Sequence, residues 1–413
     1  MTEHLLRRMN GMTQRIVIAG AGFAGMWSAL GAARVLDQAG RSADVEIALI
    51  APKPELHVRP RLYEVDAGGM KAPLKEIFDA VGVRYIAGSV DAIRPDLHEV
   101  GIVAPDGSRS TLGYDRLVLA TGSQLFRPEI PGLREHSFSV DQLDEAAALE
   151  AHIRGLADLP ESAARNTVVV AGGGFTGLET ATEMPARLRE ALGQDAKVRV
   201  IIVERNREIG PDLGPGPRPV IIQALTDLGV EWTLGAAVTA VDAGGITTDV
   251  GERIEALTVI WTAGMRASPL TAQIPAAKDR FGRLHVDRDL CVPGFDRIFA
   301  TGDVAYAATD DEGNHASMSC QHAMNLGRSA GHNVAASLLG LPSLPYSQPK
   351  YVTCLDLGPW GAVYTEGWDR VVKLQGAEAK ALKHQINTQW IYPPAANRDE
   401  ALAAADPQRI VVA

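Results

Sequence analysis

Six glycines and a few acids have the spacing for chemistry. Gly172, Gly174 and Gly177 lie in VVVAGGGFTGLETA (168–181), after four β-prone residues (167–170) and before a helix-like run. In such a setting glycines let a pyrophosphate lie against free backbone N–H groups at a helix N-terminus. The spacing alone is weak evidence in a chain with 41 glycines among 413 residues, so the strand–helix context carries the motif. That context recurs in RIVIAGAGFAG (15–25), with Gly20, Gly22 and Gly25. Two such loops imply two dinucleotides, a flavin and a nicotinamide, and oxidoreductase chemistry between them.

Each loop needs a parallel sheet behind it, which predicts an α/β fold. In the second unit the strand 198–204 ends in Glu204, an acid placed to accept hydrogen bonds from a ribose. In the first unit DVEIALI (44–50) runs into Ala51-Pro52, leaving the ribose to backbone groups or Lys53. YDRLVLATG (114–122) ends in Thr121-Gly122, where backbone can approach a ligand, and residues 261–264 repeat that ending. RIFATGD (297–303) has an acidic tip, Asp303, and a helix follows over about 318–339. The loop HVRPRLYEVDAGG (57–69) is too bulky for a linker and is expected either to pack or to line the cofactor. Beyond 344 the chain reads as a cap, with strands near 351–355 and 361–365 and helical residues 377–391. There Leu382, Ile386 and Trp390 form the face expected to pack on the body, with Lys380 and Lys383 elsewhere. The expected division is a mobile leader (1–13), a first FAD-domain segment (14–155), an NADH domain (156–280), a second FAD-domain segment (281–340) and the cap (341–413).

A net charge of −10 argues against nucleic acid, whose phosphates need a basic face. Cys291, Cys320 and Cys354 show no CxxC or CxxxxC spacing, which excludes a disulfide framework and fits a reducing cytoplasm. Sulfide chemistry needs two cysteines flanking a flavin and is disfavoured, since none precedes Cys291. Cys320 is expected to be a small buried residue rather than a redox thiol. His57, His315, His322 and His332 fall in cofactor-facing stretches, but none has metal spacing with a third ligand, so no metal is expected. No apolar run approaches the roughly 20 residues of a membrane-spanning helix, and the leader lacks an apolar signal core.

RIVIAGAGFAG, YDRLVLATGS, VVVAGGGFTGLETA, VIWTAGM and RIFATGDVA, in this order, resemble the two-dinucleotide-binding flavoproteins over about 15–340. Within them the chain is similar to type II NADH dehydrogenases, the single-subunit NADH:quinone oxidoreductases, through PRLYEV (60–65) and Glu179. The redox cysteine pair of the disulfide reductases is absent. The resemblance implies two Rossmann-like domains for FAD and NADH and a small α+β cap. It implies that Gly20, Gly22 and Gly25 cradle the FAD pyrophosphate, that Thr121 and Gly122 approach the flavin nucleotide, and that Asp303 bonds its ribityl or pyrophosphate region. Gly172, Gly174 and Gly177 would hold NADH, with Glu204 on the adenosine ribose. Glu179 would position nicotinamide or deliver a proton. Relatives carry Ala-Gln-x-x-x-Gln at the acceptor helix; here Cys320, Gln321 and Asn325 stand there, and Gln321 is expected to meet a quinone carbonyl. Arg61 replaces a usual leucine, and the polar C-terminal stretch departs from the membrane-gripping helices of relatives. Together these suggest a cytoplasmic protein, peripheral on a membrane at most, acting on short-chain quinones; a homodimer is an expected assembly. The alternatives are reduction of another acceptor, such as a small aromatic or an electron-transfer protein, and a redox-sensing NADH-binding scaffold.

Overall fold

The computed structural model describes residues 13–409, so the expected mobile leader lies outside the described residues except for Thr13. Strand β1 (Gln14–Ala19) runs through the first glycine loop into helix α1 (Phe23–Gln38). Strands β2 (Val45–Ala51), β3 (Val83–Ala87) and β4 (Arg116–Leu119) follow. β1 pairs in parallel with β2 and β4, and β2 with β3. Ile16, Val17, Ile18, Leu49, Leu117 and Val118 are all buried, as parallel strands covered on both faces must be.

The second unit repeats the plan. β5 (Thr167–Ala171) leads through the second glycine loop into α2 (Phe175–Leu192), and then come β6 (Arg199–Glu204), β7 (Val230–Leu234) and β8 (Thr258–Trp261). β5 pairs in parallel with β6 and β8, and β6 with β7. The repetition reaches further than the glycine loops. Each unit also carries a three-stranded antiparallel meander, 89–113 in the first and 238–255 in the second.

The chain then returns to the first sheet. β9 (Cys291–Val292) forms an antiparallel edge on β10 (Phe295–Ala300), which pairs in parallel with β4. Helix α3 (Cys320–Leu339) packs along α1 at very short range, because small residues face one another. A Cβ on Gly327 would meet the Ala24 carbonyl oxygen at 2.6 Å, and one on Gly331 the Ser28 carbonyl oxygen at 2.3 Å. The Ser28 hydroxyl is satisfied across the same contact, donating to the carbonyls of Ala24 and Gly327.

The cap holds β11 (Val352–Asp356), β12 (Ala362–Glu366), β13 (Val371–Gln375) and α4 (Gly376–Gln385), the last ending in a π-helical turn at Ile386–Trp390. β13 was not anticipated: VVKLQ alternates exposed and half-buried residues on a sheet edge, so it carries no apolar run. The expected packing face of the helix holds in part, for Ile386 packs against the body and Leu382 against the cap's own core. Leu382, Ile386 and Trp390 are only half-buried, whereas Ala379, Lys383 and Asn387 turn into the protein. Among the described residues no helix is long and apolar enough to cross a membrane.

Candidate functional site

Both glycine loops divide their labour in the same way. Gly20 and Gly172 adopt positive φ, +108° and +114°, which turns the strand sharply into the helix. Gly25 and Gly177 let the helix close on that turn: a Cβ there would lie 2.0 and 1.9 Å from the carbonyl oxygens of Gly20 and Gly172. Gly22 and Gly174 cap the two helices with no side-chain hydrogen bond, and neither first turn holds an acid. A Cβ on Gly22 would meet nothing within 4 Å. The unblocked N–H groups and the open space at Gly22 fit a pyrophosphate at the first helix N-terminus, whereas a Cβ on Gly174 would stand 3.6 Å from the Asp212 carboxylate at the second.

Around the first loop two threonine hydroxyls, Thr121 and Thr301, are buried without a partner among the described residues. Asp303 accepts from the Ser123 hydroxyl at 2.6 Å, and Arg59 stands 4.0 Å from the same carboxylate while pairing with Asp141. Such unsatisfied hydroxyls beside a held carboxylate fit the polyol and phosphates of FAD. Lys53 is exposed at the end of β2, and the neighbouring Ala51 carbonyl already accepts from Gly88 N–H and the Tyr85 hydroxyl. At the second loop Glu204 is buried, and its carboxylate accepts from Gly173 N–H at 2.7 Å and from Asn206 N–H and Nδ2 at 2.7 and 2.6 Å. Those donors fix the carboxylate beside the glycine loop.

Glu179 is the fifth residue of α2, past the first turn. Its carboxylate is 4% exposed and accepts from Lys383 Nζ at 2.8 Å and from Asp356 N–H at 3.1 Å. Burial pushes the Glu179 carboxyl up to about 7 against the pull of Lys383. Lys383 was not among the expected site residues. It is the cap's contribution, buried beside the rings of Tyr63 and Phe175 and raised by Glu179 although its own burial opposes this.

The start of α3 belongs to the same neighbourhood. Cys320 is half-buried and packs against the core of the first unit. Burial pushes its thiol up to about 11, and the charges of Lys383, Asp303 and Glu179 all act on it. The adjoining Gln321 side-chain oxygen is buried without a partner. The structure therefore brings Glu179, Asp303, Cys320 and Gln321 together, with Lys383 added. Asn325 is not free there: its side-chain oxygen accepts from Arg328 at 3.0 Å. Nor is Arg61 a free cation, since Glu64 and the Tyr392 hydroxyl hold its guanidinium. Of the four histidines, His322 is fully buried, with its Nδ1 against Ser317 and Ser319 and its basicity lowered by burial to about 3. His57 lies 3.7 Å from Glu55 on a surface hairpin, and His315 stacks on Tyr306.

Comparison with known proteins agrees with this geometry. Residues 14–327 match the model of the pyridine nucleotide-disulphide oxidoreductase family. An NADH dehydrogenase-like protein of Mycobacterium tuberculosis is 48% identical over 399 residues, 95% of this chain and 98% of that protein. A type II NADH:quinone oxidoreductase of the same organism is 32% identical over 72% of this chain and 67% of its own length. The fold matches that of NDH2 from Plasmodium falciparum, solved in complex with NADH, with a TM-score of 0.75 at 14% identity, covering 95% of this chain and 98% of that one. The chain belongs to the pyridine nucleotide-disulphide oxidoreductase family, whose cofactors are FAD and a pyridine nucleotide, and it is an oxidoreductase related to the type II NADH:quinone oxidoreductases.

Proposed function

We propose that the protein transfers two electrons from NADH through FAD to a quinone, with the balance NADH + H⁺ + quinone → NAD⁺ + quinol. The observation that carries this reading is the buried Glu179–Lys383 pair, whose charges act on Cys320 at the head of α3. Bound FAD supplies the hydride-accepting and electron-passing chemistry, and the protein supplies orientation and protons. Gly20, Gly22 and Gly25 with Thr121, Gly122 and Asp303 seat FAD between residues 14–155 and 281–340. Gly172, Gly174 and Gly177 seat NADH in 156–280, where Glu204 takes the ribose hydroxyls. Gln321 donates from its Nε2 amide to a quinone carbonyl, and its Oε1 has no partner among the described residues. Glu179, holding a proton up to about pH 7, gives it to the reduced acceptor. Lys383 keeps that carboxyl in place and lends positive charge as the acceptor oxygen becomes negative.

The described end of the chain folds back on the body: Arg398 pairs with Asp37, and Arg34 with Asp406. Three unpaired cysteines support a reducing compartment.

The test is anaerobic mixing of purified protein with NADH and then with a short-chain quinone. The expected result is a yellow protein that bleaches with NADH and regains its colour with quinone, releasing FAD on acid precipitation. A colourless protein, or one bleached by NADH that no quinone reoxidises, rules the reading out.

A further inference from the structure

A second feature of the cap bears on where protons come from. A cavity of about 300 Å³ opens between the 61–65 loop, α2 and α4, lined by Arg61, Glu64, Glu183, Asp356, Lys380 and Lys383 among others. Exposed Val65 and His384 border it, so its mouth meets solvent, and it has room for several waters. Its polar groups form one connected set. Lys380 Nζ donates to Asp356 at 2.5 Å and lies 3.7 Å from Glu183. The Asp356 backbone N–H donates to Glu179, and Lys383, on the cavity wall, donates to the same Glu179 oxygen. Glu183 lies one turn beyond Glu179 on the same face of α2, a spacing of about 5–6 Å between Cβ atoms.

Quinol formation consumes two electrons and two protons, whereas NADH brings two electrons and one proton. One proton per turnover must enter from solvent, and Glu179, almost wholly buried, has no surface of its own to take it from. We infer that this cavity is the proton inlet of the acceptor half-reaction and that Glu183 is the positioning and relay residue that reloads Glu179. The inference rests on the quinone reading above. As two electrons reach the quinone, the Glu179 O–H bond breaks and an acceptor O–H bond forms. The Glu183 proton then crosses by water to the Glu179 carboxylate, and cavity water restores Glu183.

Charged groups of both signs act on the Glu183 carboxyl. Burial raises it, Lys380 lowers it, Asp356 raises it, Arg187 lowers it and Glu64 raises it, with a net upward direction. Arg61, Lys383 and His384 face the same cavity, and Arg61 is already held by Glu64.

The experiment uses the FAD-loaded protein in stopped flow, reduced by NADH and mixed with a short-chain quinone. In Glu183→Gln, flavin reduction by NADH should be unchanged while reoxidation slows at least tenfold at pH 8. Its solvent isotope effect should rise, and added acetate or azide should restore the rate. Glu183→Asp should retain most of the rate. Thr388→Trp plugs the cavity from the opposite wall without touching Glu183, so it serves should the first variant lose flavin, and it should slow the same step. Wild-type reoxidation rates and pH profiles in both variants overturn the inlet, and so does a rise confined to quinone KM, which would make the cavity an acceptor gate. A wild-type protein that no quinone reoxidises removes the quinone reading, and this inference with it, before any variant is made.

Discussion

Glu204 reaches its place with its carboxylate already bound by three N–H donors, leaving lone pairs for a ribose diol but no room for a phosphate dianion. Glu204→Ala should lower kcat/KM for NADH about ten- to a hundredfold, the worth of hydrogen bonds to a charged group. It should also narrow the preference over NADPH, since the exposed Arg205 and Arg207 would then face the 2′-phosphate unopposed; steady-state kinetics with both nucleotides checks this. The Glu179–Lys383 pair makes a different prediction. Lys383→Met leaves a buried carboxyl without its cation, a loss of about 3–5 kcal/mol when the acid is ionised. Glu179 titrates higher folded than unfolded, so its contribution is full below the ordinary carboxyl range and lost as pH rises through about 7, and without the Lys383 cation the loss extends to higher pH. Thermal melts of Lys383→Met should therefore fall between pH 6 and pH 8.5, and adding Glu179→Gln should abolish that slope. At this scale the glycines and Glu204 were legible because their roles are written into their own strand and turn. Lys383 was not, because its partner lies 204 residues away and nothing local marks a buried ammonium.

At the scale of elements, the α1–α3 contact is the tightest joint in the first unit, and both helices present their N-terminal ends to the FAD site. Gly331→Ala would force a Cβ to within 2.3 Å of the Ser28 carbonyl oxygen. Overpacking of this kind costs about 1–3 kcal/mol, so the variant should melt lower and release flavin more readily, as calorimetry and fluorescence of free flavin would read. The strands and helices of both nucleotide units could be read from sequence because buried parallel strands are continuous apolar runs. The cap could not be read so well. Its helix offers an apolar stripe, Leu382, Ile386 and Trp390, yet it buries the polar one. That is possible because Lys383 is met by Glu179, and Asn387 donates to Glu64 at 2.9 Å. Periodicity counts apolar side chains and is blind to polar groups satisfied by a distant element.

At the scale of the whole molecule, one plan is used twice, and the first copy is interrupted by the second. β4 is complete at Leu119, but its parallel neighbour β10 begins at Phe295. A chain cut after residue 280 should therefore hold a protease-resistant second unit and an easily digested first one, which limited proteolysis with mass spectrometry would resolve. A matching result for both halves would mean that the first sheet closes without β10. The same interruption sets an order of events during synthesis. At about 5–20 residues per second, the apolar edge of β4 waits roughly ten to forty seconds for its partner to leave the ribosome. For that time the nascent chain offers an open strand edge that a chaperone must shield or a neighbouring chain can seize. The first glycine loop is translated among the earliest segments and the walls of its cleft among the latest, so flavin loading falls to the released chain. A cell short of flavin would then accumulate protein with a folded second unit and a loosely closed first one, a state that invites degradation.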